Sequence, residues 1–70
     1  MKYPVIFEQT STGWSAYVPD LPGCIATAKT KIEIEKLMRE GIEFHIEGMR
    51  RDGEMIPTPT TEAEYMSVQG

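Results

Sequence analysis

At 70 residues the chain can form one small domain, which buries only about 60% of its unfolded surface, so we expect stabilisation by a partner or by self-association. A single cysteine, Cys24, excludes an internal disulfide, and together with one histidine it falls short of a structural zinc site. A net charge of −4 repels phosphate backbones, so we expect a protein partner and no direct binding of nucleic acid.

Three short segments with alternating apolar residues predict a three-stranded antiparallel meander. The first runs from Tyr3 to Phe7, the second begins at Trp14, and the third runs from Cys24 to Ala28. Pro19 interrupts pairing after the second strand, and Pro22-Gly23 fits the centre of a type II turn. The small side chains of the third strand leave room for a helix above the sheet.

A helix after the third strand is the clearest local prediction. Thr30 suits the N-cap, Glu33 completes a capping box, and Gly53 is the expected stop. Eight residues at helical spacing form its apolar face, flanked on opposite sides by Phe44 and Ile46: Ile34, Leu37, Met38, Gly41, Ile42, His45, Gly48 and Met49. Because glycine is unfavourable inside a helix, Gly41 and Gly48 on this face predict close approach to the sheet, with fraying of the helix end as the alternative at Gly48.

The segment from residue 54 to residue 70 contains two prolines that alternate with threonines, which predicts an extended backbone. Tyr65 to Val68 then predicts a late fourth strand, with a short helix beginning at Thr61 to Glu64 as the alternative. The predicted fold is therefore a single α+β domain over residues 1–70, with the order β-β-β-α-β.

Cys24 and His45 are the one nucleophile and base that the sequence offers for catalysis. No orienting residue or oxyanion motif accompanies them, and both positions fit packing in a core or an interface. Glu8 and Asp20 are too few carboxylates near the strands for a metal-dependent nuclease. The sequence thus predicts no enzyme, with no catalytic residues, no metal and no cofactor.

Three stretches resemble a known family. The run from Trp14 to Cys24, WSAYVPDLPGC, resembles the signature of the HicB-like antitoxins. Ile42 to Gly48 is similar to the end of the helix in that family, and so is the extended Ile56 to Pro59 after Gly53. The similarity covers roughly residues 3–60 and implies a β-β-β-α-β domain with a partial ribonuclease-H-like fold.

The resemblance implies an antitoxin that binds and neutralises HicA, a small basic toxin that cleaves messenger RNA. We predict that the toxin contacts the turn between the second and third strands and the acidic side of the helix, through Pro19, Asp20, Leu21, Glu40, Glu43 and Glu47. An acidic surface suits a basic partner by steering its approach. The alternative function is a stand-alone, homo-oligomeric regulatory or ligand-binding module without a toxin.

Many members of the family add a DNA-binding domain, for which 70 residues leave no room. We therefore expect no operator binding from this chain alone. Short strand edges and a small core predict a homo-oligomer. One unpaired cysteine and the lack of an export signal predict a cytoplasmic protein.

Overall fold

The computed structural model describes all 70 residues and shows three antiparallel strands followed by one helix. The elements are β1 (Ile6–Gln9), β2 (Trp14–Tyr17), β3 (Ile25–Ala28) and α1 (Lys31–Arg51). The sheet order is β1-β2-β3, so β1 and β3 each have one free edge. In the register Phe7 pairs with Ala16, which pairs in turn with Ala26. The predicted α+β class and meander are confirmed.

One face of the sheet packs against α1, which lies over β2 and β3. Six buried side chains form the core: Ala16, Val18, Leu21, Cys24, Ile34 and Met38. Leu21 and Ile34 are the largest of these with 0% exposure, one from a turn and one from the helix. The core therefore depends on the β2–β3 turn as much as on the regular elements.

The β2–β3 turn folds inward because two reverse turns follow each other. The Leu21 amide donates to the Val18 carbonyl, and the Cys24 amide donates to the Leu21 carbonyl, each at 3.1 Å. Gly23 has a φ of 84°, which the third residue of a type II turn requires and which a side chain disfavours. The predicted type II position of Pro22-Gly23 is confirmed, and it turns Leu21 into the core.

The two ends of α1 lie where the sequence predicts them. The Glu33 amide donates to Thr30 Oγ1 at 3.2 Å, but the reciprocal bond of a capping box, from Thr30 N–H to the Glu33 carboxylate, is not formed. The helix ends at Arg51, and Gly53 follows with a φ of 72° and donates its amide to the Arg50 carbonyl. Thr30 alone therefore supplies the side-chain cap.

The predicted close approach of the helix to the sheet at Gly41 and Gly48 is wrong. A Cβ added at either glycine would meet no atom within 4 Å. The helix is rotated so that its buried stripe follows Ile34, Met38 and Ile42, which leaves Leu37 46% and Phe44 76% exposed. Each glycine thus costs about 1 kcal/mol of helix propensity without a packing gain inside the chain.

The predicted fourth strand from Tyr65 to Val68 is not formed, and neither is the alternative helix from Thr61 to Glu64. Residues 54–70, here called the tail, contain no helix or strand. Tyr65, Met66 and Val68 are all exposed, and α1 occupies the core face of the sheet. Without burial the tail has little to offset the entropy of ordering a strand.

Candidate partner-binding surface

Asp20, at the exposed end of the β2–β3 turn, binds the tail. Its Oδ1 accepts hydrogen bonds from Thr60 Oγ1 at 3.0 Å and from Thr61 Oγ1 at 2.9 Å. Its Oδ2 accepts one from the Thr61 amide at 3.2 Å. A second attachment comes from Tyr3, whose hydroxyl donates to the Pro57 carbonyl. The tail is thus tied to the domain at two places near one end of the sheet.

These bonds also shift the acidity of Asp20. Desolvation raises the pKa of its carboxyl group, but the hydrogen bonds from Thr61 and Thr60 together outweigh it and lower the pKa below its ordinary value. Charge-assisted hydrogen bonds favour the ionised form of the acceptor, which explains the direction. Asp20 is therefore ionised and occupied by the tail at neutral pH.

The other two turn residues of the predicted toxin-contact surface lie in different surroundings. Pro19 is half-buried beside Asp20 and shapes the turn. Leu21 is 0% exposed and belongs to the core, so its side chain presents no surface to a partner in this conformation. The structure therefore separates Leu21 from the exposed part of the predicted surface.

The predicted helix acids Glu40, Glu43 and Glu47 lie together on the solvent side of α1, all exposed. Glu47 forms an ion pair with Arg51 at 3.5 Å, with both side chains 71% exposed. Glu40 and Glu43 form no ion pair. Exposed pairs of this kind contribute little stability, so these acids remain available to an approaching partner.

A shallow groove runs beside two of these acids. Glu43 and Glu47 border it together with Tyr3, Ile42 and Ile46, and Met1 and Arg50 complete its lining. Apolar side chains at its floor and carboxylates at its rim are a combination that protein interfaces use, with an apolar centre and a polar rim. Asp20 does not line this groove, so the predicted residues do not form one continuous patch with it.

Cys24 and His45 line one groove between β3 and α1, but no hydrogen bond joins them. Cys24 is buried, and desolvation raises the pKa of its thiol. A nucleophilic cysteine needs the opposite shift, because the thiolate is the reactive form. At neutral pH this thiol is protonated and acts as a small apolar side chain in the core.

The attachment of the tail to Asp20 was not predicted from the sequence. Asp20 and Thr61 lie 41 positions apart, so no local periodicity connects them. The one indication in the sequence is chemical: a carboxylate in a proline-bounded turn lacks backbone partners, and the extended threonines of the tail offer hydroxyl donors.

α1, the one helix, has no stretch apolar enough to cross a membrane.

Comparison with known proteins identifies relatives along almost the whole chain. The family model described as the HicB-like antitoxin of bacterial toxin–antitoxin systems matches residues 3–69. A 14.9 kDa protein from the rep–hol intergenic region of Haemophilus phage HP1 is 37% identical over 67 residues, which are 96% of this chain and 50% of that protein. A UPF0150 protein of Thermoplasma acidophilum is 38% identical over 63 residues, 89% of this chain and 91% of that protein.

Two solved structures share the fold. A chain of the HicA3–HicB3 toxin–antitoxin complex superimposes with a TM-score of 0.72 and 32% identity, over 86% of this chain and 70% of that chain. The crystal structure of the antitoxin HicB3 gives a TM-score of 0.69 at the same identity, over 86% of this chain but 44% of that one. This chain thus spans half of the phage relative and less than half of HicB3. Its sequence and its fold agree in showing that it belongs to the HicB-like antitoxin family.

Proposed function

We propose that this domain is an antitoxin that binds and neutralises a HicA-like toxin. The observation that carries the proposal is its likeness to a chain of a solved HicA3–HicB3 toxin–antitoxin complex, at 32% identity and a TM-score of 0.72. The domain acts by binding and not by catalysis, which fits a protonated, buried Cys24. It requires no cofactor, and its place of action is the cytoplasm.

The toxin-binding surface that we propose is the exposed acidic side of α1 with the groove beside it. Glu40, Glu43 and Glu47 provide three carboxylates within two turns of helix, and the resemblance implies a basic toxin. An acidic surface and a basic partner attract each other, which accelerates their encounter. The apolar groove residues Ile42 and Ile46 would then govern the lifetime of the complex. Pro19 and Asp20 are an outlying part of this surface.

The test is a binding titration of the chain with a HicA-like toxin. The variant E40K/E43K/E47K changes the net charge from −4 to +2, since each substitution adds two charges. We expect its association rate constant to fall by about tenfold or more at low salt, because electrostatic steering is reversed. The same variant should fail to rescue growth when co-expressed with the toxin.

A matched control separates the surface from the net charge. The variant E54K/E62K/E64K makes the same change, from −4 to +2, on exposed positions of the tail. It should keep most of the association rate. If both variants lost the association rate equally, the net charge of the chain, and not the acidic side of α1, would control association with the toxin. No binding of a HicA-like toxin by the unmodified chain would exclude the antitoxin proposal itself.

A further inference from the structure

The free edge of β3 lacks the features that protect edge strands. Its sequence, Ile25-Ala26-Thr27-Ala28, contains no charge and no proline, and no part of the chain pairs with its outer side. Ile25 is 68% exposed on the face of the sheet away from α1. Edge strands of monomeric proteins are commonly blunted by charges, prolines, bulges or a covering loop. This edge is therefore suited to pairing with another strand.

An apolar groove lies directly above this edge, on the helix side. Its floor is Gly23 to Ala26, and its wall is formed by residues of α1: Leu37, Met38, Gly41, Phe44 and His45. No aspartate, glutamate, lysine or arginine lines it. Phe44 is 76% exposed at its rim, a large apolar side chain without a partner inside the chain. The edge and the groove thus form one uncharged surface.

The helix wall of this surface alternates large and small residues. Leu37, Gly41, Phe44 and Gly48 follow each other at spacings of four, three and four, which places them along one side of α1. A Cβ built on either glycine would meet no other part of the chain within 4 Å. If a second, antiparallel copy of this helix lies alongside, Phe44 faces Gly41 of the second copy and Leu37 faces its Gly48. Every large side chain then meets a glycine, so the stripe is complementary to itself.

We propose that two copies of this chain associate through their β3 edges, antiparallel, to form a continuous six-stranded sheet with both α1 helices side by side on one face. Directly opposed residues of paired strands point to the same face, and a two-fold axis at Ala26, in the middle of β3, meets this requirement by placing Ala26 opposite Ala26 of the second copy. Ile25 then lies opposite Thr27 of the second copy. This is a two-fold, isologous interface.

The spacing of the elements allows the helices to touch in this arrangement. Strands in a sheet lie about 4.8 Å apart, and α1 lies over both β2 and β3. A helix centred between β2 and β3 has its axis displaced from β3 by half of this spacing, about 2.4 Å, toward β2. The two-fold axis between the two β3 strands lies about 2.4 Å from β3 on the other side. The two helix axes are then about 10 Å apart, close to the 8–10 Å of packed helices.

A second copy fits this surface better than a charged partner does. Each copy carries a net charge of −4, so two copies approach most favourably through a surface that has no charge. A stable interface needs about 800 Å² from each side, and one buried aromatic residue contributes about 150–250 Å². Phe44, Leu37 and Ile25 are the large exposed apolar side chains that this interface would bury. The inference does not depend on the toxin partner.

The first test measures mass in solution by light scattering over a range of concentrations. We expect the unmodified chain to reach twice the 7.9 kDa of one chain, and F44E to weaken association by at least about thirtyfold, as for a central aromatic residue. The control is I32E, since Ile32 is a similarly exposed apolar residue of α1, 81% exposed, outside the stripe. G41L should also prevent association, although a Cβ at position 41 meets no atom within 4 Å in a single copy.

The second test fixes the register with cysteines, in a chain where Cys24→Ala removes the natural thiol. Opposed residues of antiparallel strands have Cα atoms about 4.5–5.5 Å apart, within the range of a disulfide. A mixture of I25C and T27C chains should therefore form cross-linked dimers, and either chain alone should not. A monomeric unmodified chain, a dimer that F44E leaves intact, or equal cross-linking of I25C alone would each overturn the proposal.

Discussion

The two free edges of the sheet differ in how the chain treats them. Pro4 precedes β1 and Glu8 lies within it, while Ala63 to Tyr65 of the tail lie across a groove from Val5 to Phe7. The β3 edge has no proline, no charge and no covering segment. The chain thus protects the β1 edge with a proline and a charge, with the tail nearby, and leaves the β3 edge without such protection.

This difference separates two kinds of surface on one small domain. Charge lies on the solvent side of α1, where an acidic cluster suits a basic partner, and the uncharged surface lies at the β3 edge. A domain with both can hold a toxin on one side and a second copy on the other without competition between them. Variants of Leu21, of two glycines and of Asp20 with its threonine partners test this difference, in order of decreasing effect.

Leu21→Ala should have the largest effect, because it removes support that both edges share. Leu21 is 0% exposed in the core between the turn and α1, and truncating a buried leucine costs about 2–5 kcal/mol. A domain of this size has only about 3–5 kcal/mol of stability, so the variant should be largely unfolded. Urea denaturation, monitored by circular dichroism, measures the loss of unfolding free energy.

Leu37→Ala is the matched control for this prediction. The same side chain is truncated, but Leu37 is 46% exposed on the flank of α1. We expect a clearly smaller loss of unfolding free energy in the single chain. If both variants lost the same free energy, the buried position of Leu21 and its assignment to the core would be wrong.

Two glycine substitutions should act in opposite directions. Gly23 has a φ of 84° in the turn that leads into β3, so Gly23→Ala should destabilise the chain by about 1–2 kcal/mol. Gly41 is helical and faces open space, so Gly41→Ala should stabilise the single chain by up to about 1 kcal/mol. Denaturation at high dilution measures both, and the same sign for both would contradict the backbone assignment.

Local patterns in the sequence predicted most of the fold. Alternation located the second and third strands, Thr30 and Gly53 located the ends of α1, and Pro22-Gly23 located the type II turn. The first strand was predicted at Tyr3 to Phe7 and lies further along the chain, at Ile6–Gln9. Each of these depends on residues that are close in the chain, where steric and hydrogen-bonding preferences act directly. The confirmed family membership came from the same stretch of turn and strand.

The features that the sequence did not predict depend on contacts between distant residues. The rotation of α1 about its axis, which leaves Phe44 exposed, is set by how the helix side chains fit the sheet. Helical periodicity alone does not determine which flank of the apolar face is buried. The absence of a strand in the tail also depends on distant residues. The composition of the tail suits a strand, but a strand requires a neighbouring edge to pair with and side chains that become buried. Glu40, Glu43 and Glu47 lie together as predicted by helical spacing, but their role in binding stays a prediction.

Asp20→Asn should have the smallest effect, because it loosens the tail near the protected end of β1 without touching the core. A neutral amide is a weaker acceptor for Thr60 and Thr61 than a carboxylate. We expect faster hydrogen exchange at the Thr61 amide and earlier proteolysis between residues 61 and 70, with little change in the denaturation midpoint. The control is Glu62→Gln, an exposed neighbour without these bonds, which should leave both readouts unchanged.

The attachment of the tail should also depend on pH. Because the pKa of Asp20 is lowered in the folded chain, its contribution is complete above the ordinary aspartate pKa of about 3.9 and is lost as pH falls through the lowered value. The double variant T60V/T61V removes both hydroxyl donors and keeps the backbone amide at position 61, so less opposes desolvation and the titration midpoint of Asp20 should rise. A carboxyl carbon NMR titration measures the shift. An unchanged midpoint would mean that the threonine hydroxyls do not hold Asp20 in solution, and Pro4 and Glu8 alone would then distinguish the β1 edge from the β3 edge.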